Sequence, residues 1–158
     1  MSTRLAPLAL ALAAAAVTLT AVAAAGPVAA KQRIAIQGAR TAAGSDTGVL
    51  IPLTSGALGR DSVTLTGCCF GDRFVKRDGQ SIEITNLTLA FTGKQGSLVT
   101  RNRIEWVDVG KGYSIGTHTW KVVRGTGDYA NLVGHGRGAV VGLPNGALRW
   151  RFEGLVGT

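Results

Sequence analysis

The sequence predicts an all-β domain, a small antiparallel up-and-down barrel of about eight strands, preceded by an N-terminal signal peptide. Three observations predict it. β-Branched residues recur in short runs between turn signals. Glycine is abundant, at 23 residues, and proline scarce, at four. No amphipathic helical periodicity follows the leader. The strands expected are residues 33–37, 49–53, 62–66, 81–92, 97–109, 113–124, 130–141 and 147–156, separated by turn signals such as Arg77-Asp78-Gly79, Gly110-Lys111-Gly112 and Pro144-Asn145-Gly146. Seven or eight strands joined mainly by short turns suit a meander, and a closed meander is a barrel. A two-layer sandwich is the alternative.

The leader is residues 1–30. Arg4 supplies a positive start, Leu5 to Ala25 carries no charge, Gly26-Pro27 breaks any helix, and Val28-Ala29-Ala30 offers the small residues a signal peptidase needs. The run is about long enough to span a bilayer, but it is built on weakly apolar alanine, and cleavage is the expectation. Residues 31–158 then form a single barrel domain that does not span a membrane, secreted or periplasmic/extracellular, with a bacterial envelope the expected setting. A chain of that size buries a core without needing metals or many disulfides. The full chain carries a net charge of +8, and the leader removes only Arg4. The remaining positive charge favours loose attraction to anionic surfaces. The basic residues are scattered along the sequence without a recognition helix or an RNA-binding aromatic motif, so no specific nucleic-acid partner is expected.

The last hairpin can be read to the residue. Leu143-Pro144-Asn145-Gly146-Ala147 fits a type I turn with proline at its first central position and Gly146 in a left-handed bulge. Pairing Leu143 with Ala147 sets Val140 opposite Trp150, Gly138 opposite Phe152 and Arg137 opposite Glu153, and opposed residues share a sheet face. One face then carries Val140, Leu148, Trp150 and Phe152, with Gly134, Gly136, Gly138 and Gly142 among them. The other carries Arg137, Arg149, Arg151 and Glu153, with an Arg137–Glu153 ion pair expected. Alternate glycines weaken an ordinary strand; under aromatic rings, Phe152 over Gly138, they let a strand bend to close a barrel.

The stretch from Val122 through Gly125-Thr126-Gly127, Tyr129, Gly134, Gly136 and Gly138 resembles a signature of the allene oxide cyclase/dirigent barrel superfamily, in particular its secreted bacterial branch of uncharacterised function. In that family a strand runs into Gly-Thr-Gly, an aromatic follows two residues on, and a glycine-bearing strand comes next. The resemblance covers about 17 residues. It implies a calycin-type eight-stranded barrel with a central cavity, used in the family for cyclisation of an unstable fatty-acid epoxide or for stereoselective radical coupling. The family's catalytic residues lie outside this motif, and none transfers to a position here.

Candidate sites are few. Cys68 and Cys69 are the only cysteines, and adjacent Cα atoms about 3.8 Å apart fall below the usual disulfide range of about 4.4–6.8 Å. A strained vicinal disulfide, an intermolecular bridge and reduced thiols remain open. His118 has the parity of Trp120 and Val122 and is expected to point inward, whereas His135 shares the outward parity of Arg137, so no paired metal site or dyad forms from them. With Trp150 and Phe152, His118 and Trp120 are the candidate cavity-lining residues. Glu105 and Glu153 read as surface charge. Gly125-Thr126-Gly127 lacks the spacing and the following helix of a phosphate loop and reads as a tight turn. No catalytic residue, cofactor site or metal site is assigned. The expected function is a non-enzymatic binding or envelope-interaction module with an apolar ligand cavity. A cavity enzyme of the cyclase or dirigent type is the alternative.

N-terminal sequencing of the exported protein is expected to begin near Lys31. A mature chain that still starts at Met1 would contradict the assignment of the leader.

Overall fold

The computed structural model describes residues 31–158, apart from the side chains of residues 68–70; the leader lies outside the described residues. Eight strands run in chain order: β1 Gln32–Arg40, β2 Asp46–Pro52, β3 Asp61–Arg77, β4 Gln80–Gly93, β5 Gly96–Gly110, β6 Tyr113–Gly125, β7 Val133–Gly142 and β8 Leu148–Gly157. Each pairs antiparallel with the next, and β1 pairs with β8, so the sheet is a closed barrel rather than a sandwich. Closure leaves the sheet one inner face, and strand alternation then dictates what fills it. In β6, Gly116, His118 and Trp120 are buried while Thr117, Thr119 and Lys121 between them are exposed. Among the described residues no helix is long and apolar enough to cross a membrane.

The C-terminal hairpin adopts the expected register. Val140 pairs with Trp150, Gly138 with Phe152 and Arg137 with Glu153. The amide of Leu143 donates to Ala147 O at 2.9 Å, the amide of Gly146 donates to Leu143 O at 2.9 Å, and Gly146 has φ +80°. Trp150, Phe152 and Val140 are buried.

Several details differ from the sequence reading. Strand β3 does not stop near residue 66 but continues to Arg77. Gly67 and Gly71 are absorbed as strand, with a register shift between Cys69 and Asp72 where Gly71 adopts φ +125°. The backbone at Cys68 and Cys69 pairs with Thr88 and Leu87; their side chains lie outside the described residues. Strand β7 begins at Val133 rather than at residue 130, because Gly127–Tyr129 forms a single 3₁₀ turn and Asn131 takes φ +62°. Arg137 and Glu153 oppose each other, but Glu153 pairs with Arg151 at 2.6 Å and Arg33 at 4.0 Å. The ring over Gly138 belongs to His118, not Phe152: a Cβ there would fall on His118 Nε2 and on the carbonyl oxygen of Arg151.

One end of the barrel is sealed. There the 126–132 loop inserts Tyr129 and Leu132, and the 53–60 loop inserts Leu58. Gln32 holds Leu58 through both side-chain ends, its Oε1 accepting the Leu58 amide at 3.0 Å and its Nε2 donating to Leu58 O at 3.1 Å. The buried Asp61 carboxylate ties three loops together, accepting from the amides of Lys94 and Gln95 and from the Tyr129 hydroxyl at 3.0 Å. Burial opposes its charge, yet the bonds from Gln95, Tyr129 and Lys94 outweigh that cost and hold the carboxyl below its ordinary range. The same bond and the burial of the ring raise the Tyr129 hydroxyl well above its usual value.

Gly138→Val is expected to destabilise the fold by about 1–3 kcal/mol or more through overpacking, while Ala139→Val, on the exposed face, changes little. Thermal denaturation of the two variants checks this. A larger loss from Ala139→Val would shift the register by one residue.

Candidate functional site

The opposite end, where β1–β2, β3–β4, β5–β6 and β7–β8 turn, is open. From this mouth a cavity of about 380 Å³ runs down between the inward side chains. Its walls are largely apolar, formed by Leu65, Leu87 and Leu89 from β3 and β4, Ile104 and Trp106 from β5, and Trp150 and Phe152 from β8. Three of the four sequence-selected cavity residues, His118, Trp150 and Phe152, lie on its wall. The fourth, Trp120, sits one inward position nearer the sealed end and does not line it.

The cavity exists because of how the indoles are seated. On the row Trp120–Gly136–Gly154, the tryptophan of β6 is followed by glycines on β7 and β8. On the row Trp150–Gly38–Gly48, the tryptophan of β8 is followed by glycines on β1 and β2. A Cβ at Gly136 would lie 2.6 Å from Trp120, and one at Gly38 would lie 2.5 Å from Trp150. Each indole therefore lies along bare backbone instead of projecting across the lumen. Trp106 is seated likewise beside Gly116, 2.9 Å from where a Cβ would stand.

His118 occupies the inner part of this cavity. It is only 4% exposed, leans across Gly138, and stacks at a tilt on Phe152 with ring centroids 4.2 Å apart. Neither ring nitrogen has a hydrogen-bond partner among the described residues. Burial without a compensating carboxylate pushes its pKa down to about 4, so the imidazole is neutral at neutral pH. Two further buried polar atoms on the same wall lack partners, Trp150 Nε1 and Asp46 Oδ1. Buried polar groups are nearly always paired, and each that is not carries a desolvation cost of about 1–3 kcal/mol. Three such groups on residues that line one cavity are the strongest sign of a ligand site among the described residues.

Other candidates are less concentrated. His135 faces outward and is exposed, far from His118 in role. Glu105 is on the outer wall, where Arg103 at 2.6 Å and Arg77 at 3.2 Å hold its carboxyl below its ordinary range, the Arg103 hydrogen bond foremost. Gly125 ends β6, and Thr126 and Gly127 open the loop that carries Tyr129 into the sealed end; the segment is a plug and not a tight turn. No cluster of three metal-ligating side chains occurs among the described residues. One feature was hidden by the linear sequence. Arg101, Arg103, Lys121 and Arg137 are scattered along the chain, but the β5–β6–β7 register sets them at neighbouring outward positions.

No family model, no curated protein and no solved structure matches the chain.

The neutral state of His118 has a measurable consequence. The unfolded imidazole titrates near 6.5 and the folded one near 4. Stability is therefore full above about pH 6.5 and falls as the pH drops from there toward 4. A tenfold change in proton affinity is worth about 1.4 kcal/mol, so the loss by pH 4.5 should be roughly 2–3 kcal/mol. Urea unfolding should show this slope in the wild type and a much flatter one in His118→Leu. Equal slopes would contradict it.

Proposed function

We propose that this barrel is an exported binding protein that takes a compact, largely apolar molecule through its open mouth and holds it against His118. The observation that carries the reading is the aromatic-walled cavity with an unpartnered, neutral imidazole at its inner end. A volume of about 380 Å³ lies toward the lower end of the range for small-molecule sites, about 300–1,000 Å³, which suits a compact body better than a long chain. Leu87, Leu89 and Ile104 supply apolar contact. His118 can both donate and accept one hydrogen bond, and Trp150 Nε1 can donate another. The basic outer face formed by Arg101, Arg103, Lys121 and Arg137 supports a second contact, with anionic polymers of the envelope.

The alternative is a cavity enzyme of the cyclase or dirigent type. The feature that favours it is again His118, which is neutral and so able to accept a proton at neutral pH. Its weakness is orientation: a general base is normally held by a second group, and His118 has none among the described residues. Ser114, on the same face of β6, is four residues away, about 13 Å along a strand, so the two make no hydroxyl–imidazole pair.

A thermal-shift screen of compact apolar compounds tests the binding reading, since a ligand that binds only the folded state raises Tm by mass action. At least one compound is expected to stabilise the wild type, and Leu87→Trp, which fills the cavity, should lose that response. Native mass spectrometry of protein purified from its own host should show a retained adduct. No stabilisation by any compound together with no adduct would overturn the reading.

A further inference from the structure

We infer that the ligand of this site is an organic cation: an apolar body that enters the cavity with a protonated amine left at the mouth between carboxylates and aromatic faces. The inference rests on the reading of the cavity as a ligand site and adds the charge of its occupant.

Carboxylates line the mouth of a basic protein. Asp72 and Glu83 line the cavity at its opening. A second hollow of about 400 Å³ continues outward from it, sharing Glu83, Trp106 and Ser114 and adding Asp108, Phe74 and Tyr113. Asp72, Glu83 and Asp108 take part in no ion pair among the described residues, whereas Asp46 on the same rim and Glu105 and Glu153 on the outer wall are each matched to an arginine. Of the cations at this end, Arg40 lines the cavity and is held by Asp46 at 2.8 Å, and Lys111, in the β5–β6 turn beside Gly112, lines neither hollow. Lys76 lies two residues beyond Phe74 on β3 and lines neither hollow.

Between the carboxylates stand aromatic rings. Trp106 forms the shared wall, Tyr113 is exposed on the rim, and Phe74 is 71% exposed although it faces the same hollow. Exposed aromatics around a negative opening suit a cation, which is drawn to the ring faces as well as to the carboxylates. An anionic ligand would meet three unmatched negative charges, and among the described residues lining the two hollows the one cation, Arg40, is already held by Asp46. The independent sign that something enters is His118, which lines the same cavity, is only 4% exposed, and has no hydrogen-bond partner for either ring nitrogen among the described residues. Being neutral, it does not repel a cation and offers a lone pair to a polar group at the ligand's inner end.

The test compares three probes with one apolar body and different charge: naphthylmethylamine, naphthalenemethanol and naphthoate, titrated against the full mature protein by calorimetry at neutral pH and low salt. The amine is expected to bind at least tenfold more tightly than the carboxylate, with the alcohol between them. Raising the ionic strength should narrow the gap, because exposed charges are screened. Glu83→Gln combined with Asp72→Asn should bring the amine down to the affinity of the alcohol. Equal binding of all three probes, or tightest binding of naphthoate, would overturn the cation inference while leaving the cavity reading in place. No binding of any probe would overturn both.

Discussion

Three indoles and two phenyl rings share the lumen of an eight-stranded barrel, and they fit only because the strands facing them give up their side chains. Each buried tryptophan contributes a large apolar area, but an indole opposite an ordinary side chain would have to project across the lumen. The rows Trp120–Gly136–Gly154 and Trp150–Gly38–Gly48 remove that obstacle twice by the same device, placing glycines on the two strands that follow the tryptophan. The rings then lie along the wall, and the bare strands curl tightly enough for the barrel to close. Glycine weakens a strand through entropy and lost packing, and ring-on-backbone contact offsets that weakness here.

The position of the cavity follows from this seating. Toward the sealed end, Trp120, Tyr129, Leu132 and Leu58 fill the space, and the Asp61 carboxylate locks the covering loops. Toward the mouth, Trp150 and Trp106 lie back against Gly38 and Gly116, so the centre stays open. His118 falls between the two halves on the row Ile104–His118–Gly138–Phe152. Gly138 lets the imidazole lean over, and Phe152 supports it from the side. A buried imidazole without partners is costly for folding alone; its place on a cavity wall gives that cost a role in binding.

Much of this was legible in the sequence, and for identifiable reasons. The turn chemistry of Pro144-Asn145-Gly146 fixed one register, and period-two alternation then carried the faces of β7 and β8. The parity of His118 with Trp120 put it inside. What escaped were features that depend on partners distant in the chain. The seat of Trp150 is made by Gly38 and Gly48, more than 100 residues away. The carboxylate lock at Asp61 depends on loops at residues 94–95 and 129. The rim of Asp72, Glu83 and Asp108 comes from three strands, and no local signal marks it. The β3 boundary was missed because Gly67 and Gly71 interrupt the run of β-branched residues, while pairing with β4 carries the strand on through a bulge at Gly71. An ion pair drawn from register alone, Arg137 with Glu153, gave way to Arg151, whose side chain reaches the carboxylate along the same strand.

The dependence of the barrel on glycine-seated tryptophans is tested most directly by a double-mutant cycle between Gly48→Ala and Trp150→Leu, read as unfolding free energies in denaturant. Gly48 also approaches a backbone oxygen, Gln37 O, at 2.6 Å from where its Cβ would stand, so some cost should persist without the indole. The account predicts that Gly48→Ala is less damaging in the Trp150→Leu background by about 1 kcal/mol or more, within the range of couplings seen between residues in contact. The same cost in both backgrounds would show that the glycine serves the backbone alone and that the indole does not depend on it.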